Sequence, residues 1–400
     1  MSAIDPASPP EEIVRRQKSP GRGRGVYVVL VVVIGLVLVV VGANAAGLIH
    51  LYGGSSTGVC GGNVVLNGAG STLVAPLMFQ WATSYTDSTV NYNSIGSGGG
   101  IAQITSKTVD FGASDAPLSS TQRGAIPSPG VVTIPESVGA AVPIYNLPGL
   151  NAPLRFNGSA LAAIYLGTMT NWNNSELQAL NPGVTLPNAA IVPVFRADGS
   201  GTTFIWTSYL SSQNTTWRNT LGFSTALVFP AGIGEKGNAG VTQAVKSTVD
   251  AIGYVDINYA LTDSLSYGAV ENPAGHYVLA NLSNIASAVQ DSNVSFPAAT
   301  GDWYNVSVLN AKGPQDYPIS SFTYLFVYKD LGAAYGSSYG MSKAAALTAF
   351  LRYIVSPTGG QSQAAALYYV PLTAQVAAND LTTINSLTFN GGTIPVCSTS

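Results

Sequence analysis

A short turn rich in glycine and hydroxyl side chains constrains the fold of this chain more than any other sequence feature. It covers residues 196–203, Arg-Ala-Asp-Gly-Ser-Gly-Thr-Thr. The β-branched run at 191–195 before it predicts a buried strand. Residues 202–210 predict a helix, because apolar side chains recur there at helical spacing. The sequence therefore predicts a strand, a tight turn and a helix start in direct succession.

Such a turn can hold an anion. The first N–H groups of a helix lack partners within the helix, and its dipole places partial positive charge at the same end. Arg196 adds a planar fork that can donate two parallel hydrogen bonds to an oxyanion, and Asp198 is placed to orient it. An ordinary capped helix beside a surface ion pair has the same local sequence, so one turn alone is weak evidence.

The same kind of turn occurs twice more in the chain. Residues 67–73 (Asn-Gly-Ala-Gly-Ser-Thr-Leu) lead into a predicted helix that runs through Tyr85. Residues 91–100 again predict a strand, a Ser/Gly turn and a helix start. A further predicted strand at 109–114 delivers the carboxyl group of Asp115 at its end. If these corners converge on Arg196, they form one site for a tetrahedral oxyanion.

These segments resemble the phosphate-binding protein of the ABC phosphate-uptake system, the periplasmic phosphate receptor. The resemblance runs from about residue 63 to the C-terminus and includes further matches at 142–149, 237–241 and 251–255. From residue 64 the chain alternates predicted strands and helices, which favours parallel sheets with helices on both faces. The resemblance implies an α/β, two-lobed, hinged periplasmic-binding-protein fold of type II with mixed, mainly parallel sheets.

Two predicted strands, 140–147 and 320–328, are the natural crossovers between the lobes. Lobe I would combine residues 63–140 with 320–400, and lobe II would be residues 141–319. The ligand would lie in the cleft between them, where open α/β sheets place their sites. Carried over position by position, the resemblance implies that the anion contacts are Thr72, Leu73 through its backbone N–H, Ser97, Asp115, Arg196, Ser200, Gly201 and Thr202.

Asp115 is expected to discriminate between oxyanions. A carboxylate beside an anion is repulsive unless the anion carries a proton to donate. Hydrogen phosphate carries one and sulfate at ordinary pH does not, so sulfate would leave a desolvated acceptor without a partner. A receptor for another tetrahedral oxyanion is the alternative within the same class.

The first 62 residues predict membrane targeting. Residues 1–25 are a polar, basic tail predicted to be cytoplasmic, and 26–49 are apolar over a length sufficient to span a bilayer. A cleaved secretion signal is the competing interpretation, since Ala43-Asn44-Ala45 fits a cleavage site. Residues 50–62 form a linker. Either way the binding domain is expected outside the cytoplasm, either attached to the cell membrane or released.

Two further features agree with export. The two cysteines, Cys60 and Cys397, flank the predicted domain and suggest a disulfide that ties its ends together, with two free thiols as the alternative. Sequons for N-glycosylation stand at Asn157, Asn173, Asn214, Asn281, Asn293 and Asn305.

Composition limits the function classes. The formal net charge is −3 and only 9% of residues are charged, so no nucleic-acid partner is expected. A phosphatase with Ser97 or Ser200 as nucleophile would need a base or a metal, yet only two histidines occur and no metal-binding cluster is visible. We therefore expect no enzyme, metal or cofactor. Inorganic phosphate and the transmembrane subunits of an ABC permease are the partners that the resemblance implies; a glycosylated structural surface protein is a further alternative.

Overall fold

The computed structural model describes residues 63–150 and 152–397. The predicted tail at 1–25, the predicted membrane segment at 26–49, the linker at 50–62 and Cys60 lie outside the described residues. Within the described part of the chain, no helix is both long and apolar enough to cross a membrane.

Fourteen strands are formed by the described residues. They are β1 Val65–Gly70, β2 Thr89–Ser94, β3 Phe111–Ser114, β4 Val131–Tyr145, β5 Arg155–Phe156, β6 Val192–Arg196, β7 Ile233–Glu235, β8 Ala251–Asp256, β9 Ser266–Tyr267, β10 Ala269–Glu271, β11 Tyr277–Val278, β12 Ser320–Tyr328, β13 Thr388–Phe389 and β14 Gly392–Thr393.

The helices of the described residues alternate with these strands. They are α1 Ala75–Ser84, α2 Ser97–Thr105, α3 Ser120–Ala125, α4 Gly158–Tyr165, α5 Ser175–Leu180, α6 Gly201–Gln213, α7 Thr215–Thr220, α8 Gly237–Ser247, α9 Ile257–Thr262, α10 Leu282–Asp291, α11 Leu331–Tyr335, α12 Met341–Val355, α13 Gln361–Ala364 and α14 Ala374–Asn385.

One large mixed sheet organises the chain, with the order β2-β1-β3-β12-β4-β8-β6-β7 and with β9 added beside β4. Its outer parts are parallel: β1 pairs with β2 and β3, and β6 pairs with β7 and β8. Its centre is antiparallel, because β12 and β4 pair in this way with each other and with their neighbours β3 and β8. The expected mixed sheet is confirmed, whereas the expected predominance of parallel pairs holds only on the two sides.

The long strand β4 joins two domains of an α/β fold. Its first part, up to Ala140, pairs with β12, and its second part, from Ala141, pairs with β8. We call the sheet on the β12 side of this point the first domain and the sheet on the β8 side the second domain. The predicted strand at 320–328 is observed as β12, while the strand predicted at 140–147 begins earlier, at Val131. Pro135, Glu136 and Gly139 interrupt the β-branched pattern there and obscure its start.

Bulky apolar side chains fill the space between the sheet and its helices. Leu347, Phe350, Leu351 and Ile354 of α12 are fully buried, as expected for the amphipathic pattern of this segment. Trp81 of α1 is also fully buried and donates its indole N–H to the carbonyl oxygen of Gly360 at 2.8 Å. These residues belong to the core and not to a partner surface, so the functional site must be sought at the ends of the strands.

Candidate functional site

Arg196 is the last residue of β6, and its guanidinium group is completely buried. Asp198 holds it in a fork: Nε donates to Oδ1 at 2.6 Å and Nη2 donates to Oδ2 at 2.5 Å. The Nη1 atom is buried and has no hydrogen-bond partner in the protein. Because a buried donor of this kind is costly to leave unpaired, Nη1 is a strong candidate contact for an anionic ligand.

Asp198 remains ionised beside Arg196. Burial on its own raises the pKa of Asp198, but the hydrogen bonds and charge of Arg196 outweigh it and lower the pKa below its usual value. The backbone N–H of Gly237 adds a further hydrogen bond to Oδ1 at 3.2 Å. Asp198 therefore holds Nε and Nη2 of Arg196 and leaves Nη1 without a contact from it.

Two helix starts meet beside this arginine. Helix α2 begins at Ser97 after Gly96, which has a positive φ of 87°. Helix α6 begins at Gly201 and is capped by Ser200, whose Oγ accepts from the N–H of Thr203 at 3.0 Å. A Cβ added to Gly201 would lie 2.5 Å from Ser97 Oγ and 2.5 Å from Asp115 Oδ2. The N-termini of α2 and α6 therefore converge on Asp115, although they belong to different domains.

The carboxyl group of Asp115 is buried, and its two oxygens differ in their surroundings. Oδ1 lies 2.5 Å from Ser71 Oγ and 3.0 Å from Thr323 Oγ1. Oδ2 makes only one long contact, of 3.4 Å, with Ser97 Oγ. Burial raises the pKa of Asp115 to about 6, against the lowering effects of its hydrogen bonds and of the Arg196 charge. Oδ2 is therefore the oxygen that can accept a hydrogen bond from a ligand.

Thr72 and Thr202 are brought together by a residue that was not expected in the site. Asn238, in the first turn of α8, donates its side-chain amide to Thr72 Oγ1 at 2.9 Å and to Thr202 Oγ1 at 3.1 Å. Its own backbone N–H also donates to Thr72 Oγ1, at 3.1 Å. Since Thr72 belongs to the first domain and Asn238 to the second, this group bridges the two.

Leu73 is placed differently from the other predicted residues. Its backbone N–H, the group expected to contact the anion, donates to Ser71 Oγ at 3.0 Å, and its side chain is buried. Helix α1 begins two residues later, at Ala75, and its N-cap, Val74, makes no side-chain capping bond. The first of the three glycine-rich turns therefore contributes the side chains of Ser71 and Thr72 to the site, whereas the start of helix α1 does not contribute N–H groups there.

Four residues of this cluster are not among the site residues predicted from the sequence: Ser71, Glu136, Asn238 and Thr323. Asn238 lies in the 237–241 segment that had been noted without a role. Thr323 of β12 and Glu136 of β4 lie behind Asp115, with Thr323 Oγ1 3.0 Å from an oxygen of each carboxyl group. Only the pairing of β12 with both β3 and β4 brings them there, and pairing partners are not visible in the sequence.

A pocket of about 580 Å³ opens beside the cluster, and Thr72, Asp198, Lys236 and Tyr259 are among its lining residues. Across residues 63–150 and 152–397, no group of three or more His, Cys, Asp or Glu side chains is placed to hold a metal ion.

The chain is similar to known proteins over most of its length. The family described as PBP superfamily domain matches residues 55–358. The phosphate-binding protein PstS of Xylella fastidiosa is 37% identical over 319 residues, which cover 78% of this chain and 82% of that protein. The PstS protein of Haemophilus influenzae is also 37% identical, over 78% of this chain and 90% of its own length.

Solved structures show the same fold. A high-affinity periplasmic phosphate-binding protein, PfluDING, solved with bound phosphate, superposes with a TM-score of 0.64 at 19% identity, covering 84% of this chain and all of the other. The phosphate-binding protein of Stenotrophomonas maltophilia gives a TM-score of 0.60 at 20% identity, over 80% of this chain and 93% of the other.

Proposed function

Because the chain belongs to the PstS family of phosphate-binding proteins, we propose that it is an extracytoplasmic receptor that captures inorganic phosphate between its two domains. It then delivers the ion to the transmembrane subunits of an ABC importer. The observation that carries this proposal is the buried Arg196, whose Nη1 is unpaired while its other donors are held by Asp198. The family is one of binding proteins, so no residue is assigned a catalytic role.

The proposed ligand contacts combine one charge with many dipoles. Arg196 supplies the formal positive charge, while Ser97, Ser200, Gly201 and Thr202 supply hydroxyl and N–H groups at the starts of α2 and α6. Thr72, in the first domain, adds a further hydroxyl group. The N–H of Leu73 donates to Ser71 Oγ, so it can contact the ion only by sharing its hydrogen between Ser71 Oγ and the ligand. Such donors suit a compact tetrahedral oxyanion, since several can reach it from different directions.

Asp115 selects for a protonated ion. Its Oδ1 accepts hydrogen bonds from protein hydroxyls, while Oδ2 faces Gly201 and Ser97 and accepts one long hydrogen bond, which leaves it able to accept another. Hydrogen phosphate supplies that donor. Sulfate would instead bring its charge against Oδ2 without supplying a donor, at a cost of about 1–3 kcal/mol for the poorly satisfied acceptor. This preference for phosphate over sulfate-like ions follows from one carboxylate.

We assign the domain boundaries from the change of partner within β4. The first domain comprises residues 63–140 and 320–400, and the second comprises residues 141–319, so that β4 and the segment before β12 form the hinge. The pairing of β4 with β12 up to Ala140 and with β8 from Ala141 supports this division.

The flanking segments are proposed to hold the receptor at the cell surface. Residues 1–25 would be cytoplasmic, 26–49 would be an anchor or a signal segment, and 50–62 a linker, with Cys60 joined to Cys397. Glycosylation is best supported at the exposed sequons Asn173, Asn293 and Asn305, since Asn157, Asn214 and Asn281 cap helices with their side chains.

The test is calorimetric titration of the full-length protein with phosphate and with sulfate, beside the Arg196→Ala variant. We expect phosphate to bind tightly to the wild type and sulfate weakly. Arg196→Ala should lower phosphate affinity by at least about a hundredfold, since breaking a buried charge pair costs about 3–5 kcal/mol. Arg218→Ala is the matched control, because Arg218 donates only to backbone carbonyls of Ser211 and Ser212. Unchanged phosphate binding in Arg196→Ala would refute the assignment.

A further inference from the structure

A β-bulge aims a second acidic side chain at the back of the site. In the pairing of β4 with β12, Pro135 lies opposite Tyr324 and Ser137 lies opposite Thr323, which leaves Glu136 as the extra residue. Bulges turn side chains out of the regular alternation and are common beside functional sites. Pro135 has no N–H to donate to the ladder, so an irregularity at this position costs little. The carbonyl oxygen of Glu136 accepts from the side-chain amide of Gln361 at 2.9 Å, which fixes the bulge.

One hydroxyl group stands between this glutamate and Asp115. Thr323 Oγ1 lies 3.0 Å from Asp115 Oδ1 and 3.0 Å from Glu136 Oε1. A hydroxyl has a single proton, so it can donate to only one of the two carboxyl groups. If both were ionised, one would face a lone pair at hydrogen-bond distance. At least one of the two acids must therefore carry a proton for all three groups to be satisfied.

The surrounding contacts place that proton on Glu136. Ser71 Oγ accepts from the N–H groups of Leu73 and Val74, so its own proton is directed to Asp115 Oδ1. Asp115 is also stabilised in its charged form by Arg196. Glu136 is fully buried, and its Oε2 has no hydrogen-bond partner. An ionised carboxylate with a bare oxygen in a dry interior is strongly disfavoured, whereas the neutral acid is tolerated.

We propose that Glu136 is a positioning residue for phosphate selection: as a neutral acid it donates to Thr323, which in turn donates to Asp115 and keeps that carboxylate ionised as the acceptor for hydrogen phosphate. This inference rests on the proposed function. Burial raises the pKa of Glu136 to about 8, the hydrogen bond with Thr323 opposes this rise, and the charge of Asp115 adds to it. Tyr92 is the other titratable group in electrostatic contact with Glu136, and burial raises its pKa well above the usual value, so it stays neutral.

The arrangement makes phosphate affinity depend on the proton of Glu136. Once Glu136 ionises, it competes with Asp115 for the proton of Thr323, and a second negative charge stands behind the ligand. The affinity contributed by the neutral acid is complete well below pH 8 and is lost as the pH rises through that value. One pH unit above the pKa, the need for this proton lowers affinity about tenfold.

The experiment compares phosphate titrations of the wild type and Glu136→Gln in the full-length protein from pH 6 to pH 9. Glutamine keeps an N–H donor towards Thr323 but cannot ionise. The ratio of the two affinities cancels the titration of phosphate itself and should rise about tenfold in favour of Glu136→Gln by pH 9. Glu176→Gln is the control, because Glu176 is exposed on α5, and its ratio to wild type should stay constant.

Variants at Thr323 test the connection itself. Thr323→Val keeps the shape of the side chain and removes the hydroxyl, so phosphate affinity at pH 7 should fall about tenfold, and Thr323→Ser should recover most of it. A constant Glu136→Gln ratio from pH 6 to pH 9, or a Thr323→Val variant with wild-type affinity, would overturn the inference while leaving the receptor function intact. A wild-type protein that binds no phosphate would overturn both.

Discussion

Asp115 presents two oxygens that perform different tasks. Oδ1 accepts hydrogen bonds from the hydroxyl groups of Ser71 and Thr323, so protein groups already satisfy it. Oδ2 is turned towards the helix starts at Ser97 and Gly201. In the proposed receptor, one side chain is in this way both held by the protein and available to select the ligand. This proposed selectivity depends on the charge of Asp115, because a protonated Oδ2 would donate to the ligand instead of accepting from it.

Asp115→Asn tests this division of tasks. The asparagine Oδ1 can still accept from Ser71 and Thr323, which leaves the amide donor in the place of Oδ2. Sulfate affinity should then rise relative to phosphate affinity by at least about fivefold, since the unsatisfied acceptor that excluded sulfate is gone. Competition titrations of both ions against the variant give the ratio. Unaltered rejection of sulfate would contradict the proton-donor explanation.

Contacts between residues in the same turn can be suggested from local sequence, whereas contacts between distant segments depend on how the strands pair. The residues of the pair Arg196–Asp198 are two apart in the chain, so a local pattern is enough to suggest their contact. Thr323 and Glu136 reach Asp115 only through the β3-β12-β4 pairing, over separations that no local pattern records. Glu136 had one visible signal, the proline before it, because a proline inside a central strand indicates a bulge.

Helix starts provide most of the proposed binding groups, and glycine makes their approach possible. The strand predicted at 191–195 and the helix predicted at 202–210 are observed as Val192–Arg196 and Gly201–Gln213, so element type was well predicted and the ends shifted by one to three residues. At Gly201 the absent Cβ is what lets α6 start against Asp115 and Ser97. The glycine is therefore required by close approach, since its φ is not in the left-handed region.

Gly201→Ala should disrupt binding through geometry alone. The new methyl group would lie 2.5 Å from Asp115 Oδ2, closer than a Cβ tolerates, so either the carboxylate or the helix start must move. We expect at least a tenfold loss of phosphate affinity, together with destabilisation of about 1–3 kcal/mol from overpacking. Gly124→Ala is the matched control: no atom lies within 4 Å of its added Cβ, and the variant should be neutral or slightly stabilised. Titration and thermal unfolding measure the two effects, and normal affinity in Gly201→Ala would contradict the arrangement.

The two domains are joined across the site by hydrogen bonds as well as by β4. The N–H of Gly98 donates to the carbonyl oxygen of Gly199 at 2.8 Å, and the Tyr259 hydroxyl donates to the carbonyl oxygen of Thr72 at 2.7 Å. With the bridge from Asn238 to Thr72, these contacts hold the cleft closed. The family resemblance predicted two lobes with a site between them, but these specific contacts depend on how far the domains close.

Tyr259→Phe isolates the contribution of closure, because it removes one bond between the domains without touching Arg196 or Asp115. A hydrogen bond of this kind is worth about 0.5–1.5 kcal/mol net, so phosphate affinity should fall about two- to tenfold, mainly through faster release. Tyr335→Phe is the control, since its hydroxyl donates to the carbonyl oxygen of Val109 within the first domain. Stopped-flow release measurements separate the two variants. Equal release rates would show that Tyr259 does not hold the closed state.

The contact between Gly98 and Gly199 joins main chain to main chain, with no side chain that could swing aside to let an ion pass. In a receptor built in this way, an ion bound behind this main-chain contact would leave only when the contact between the two domains breaks. Release of the ion would then depend on domain opening. A transporter that docks on both domains and separates them would therefore determine when the ion is released.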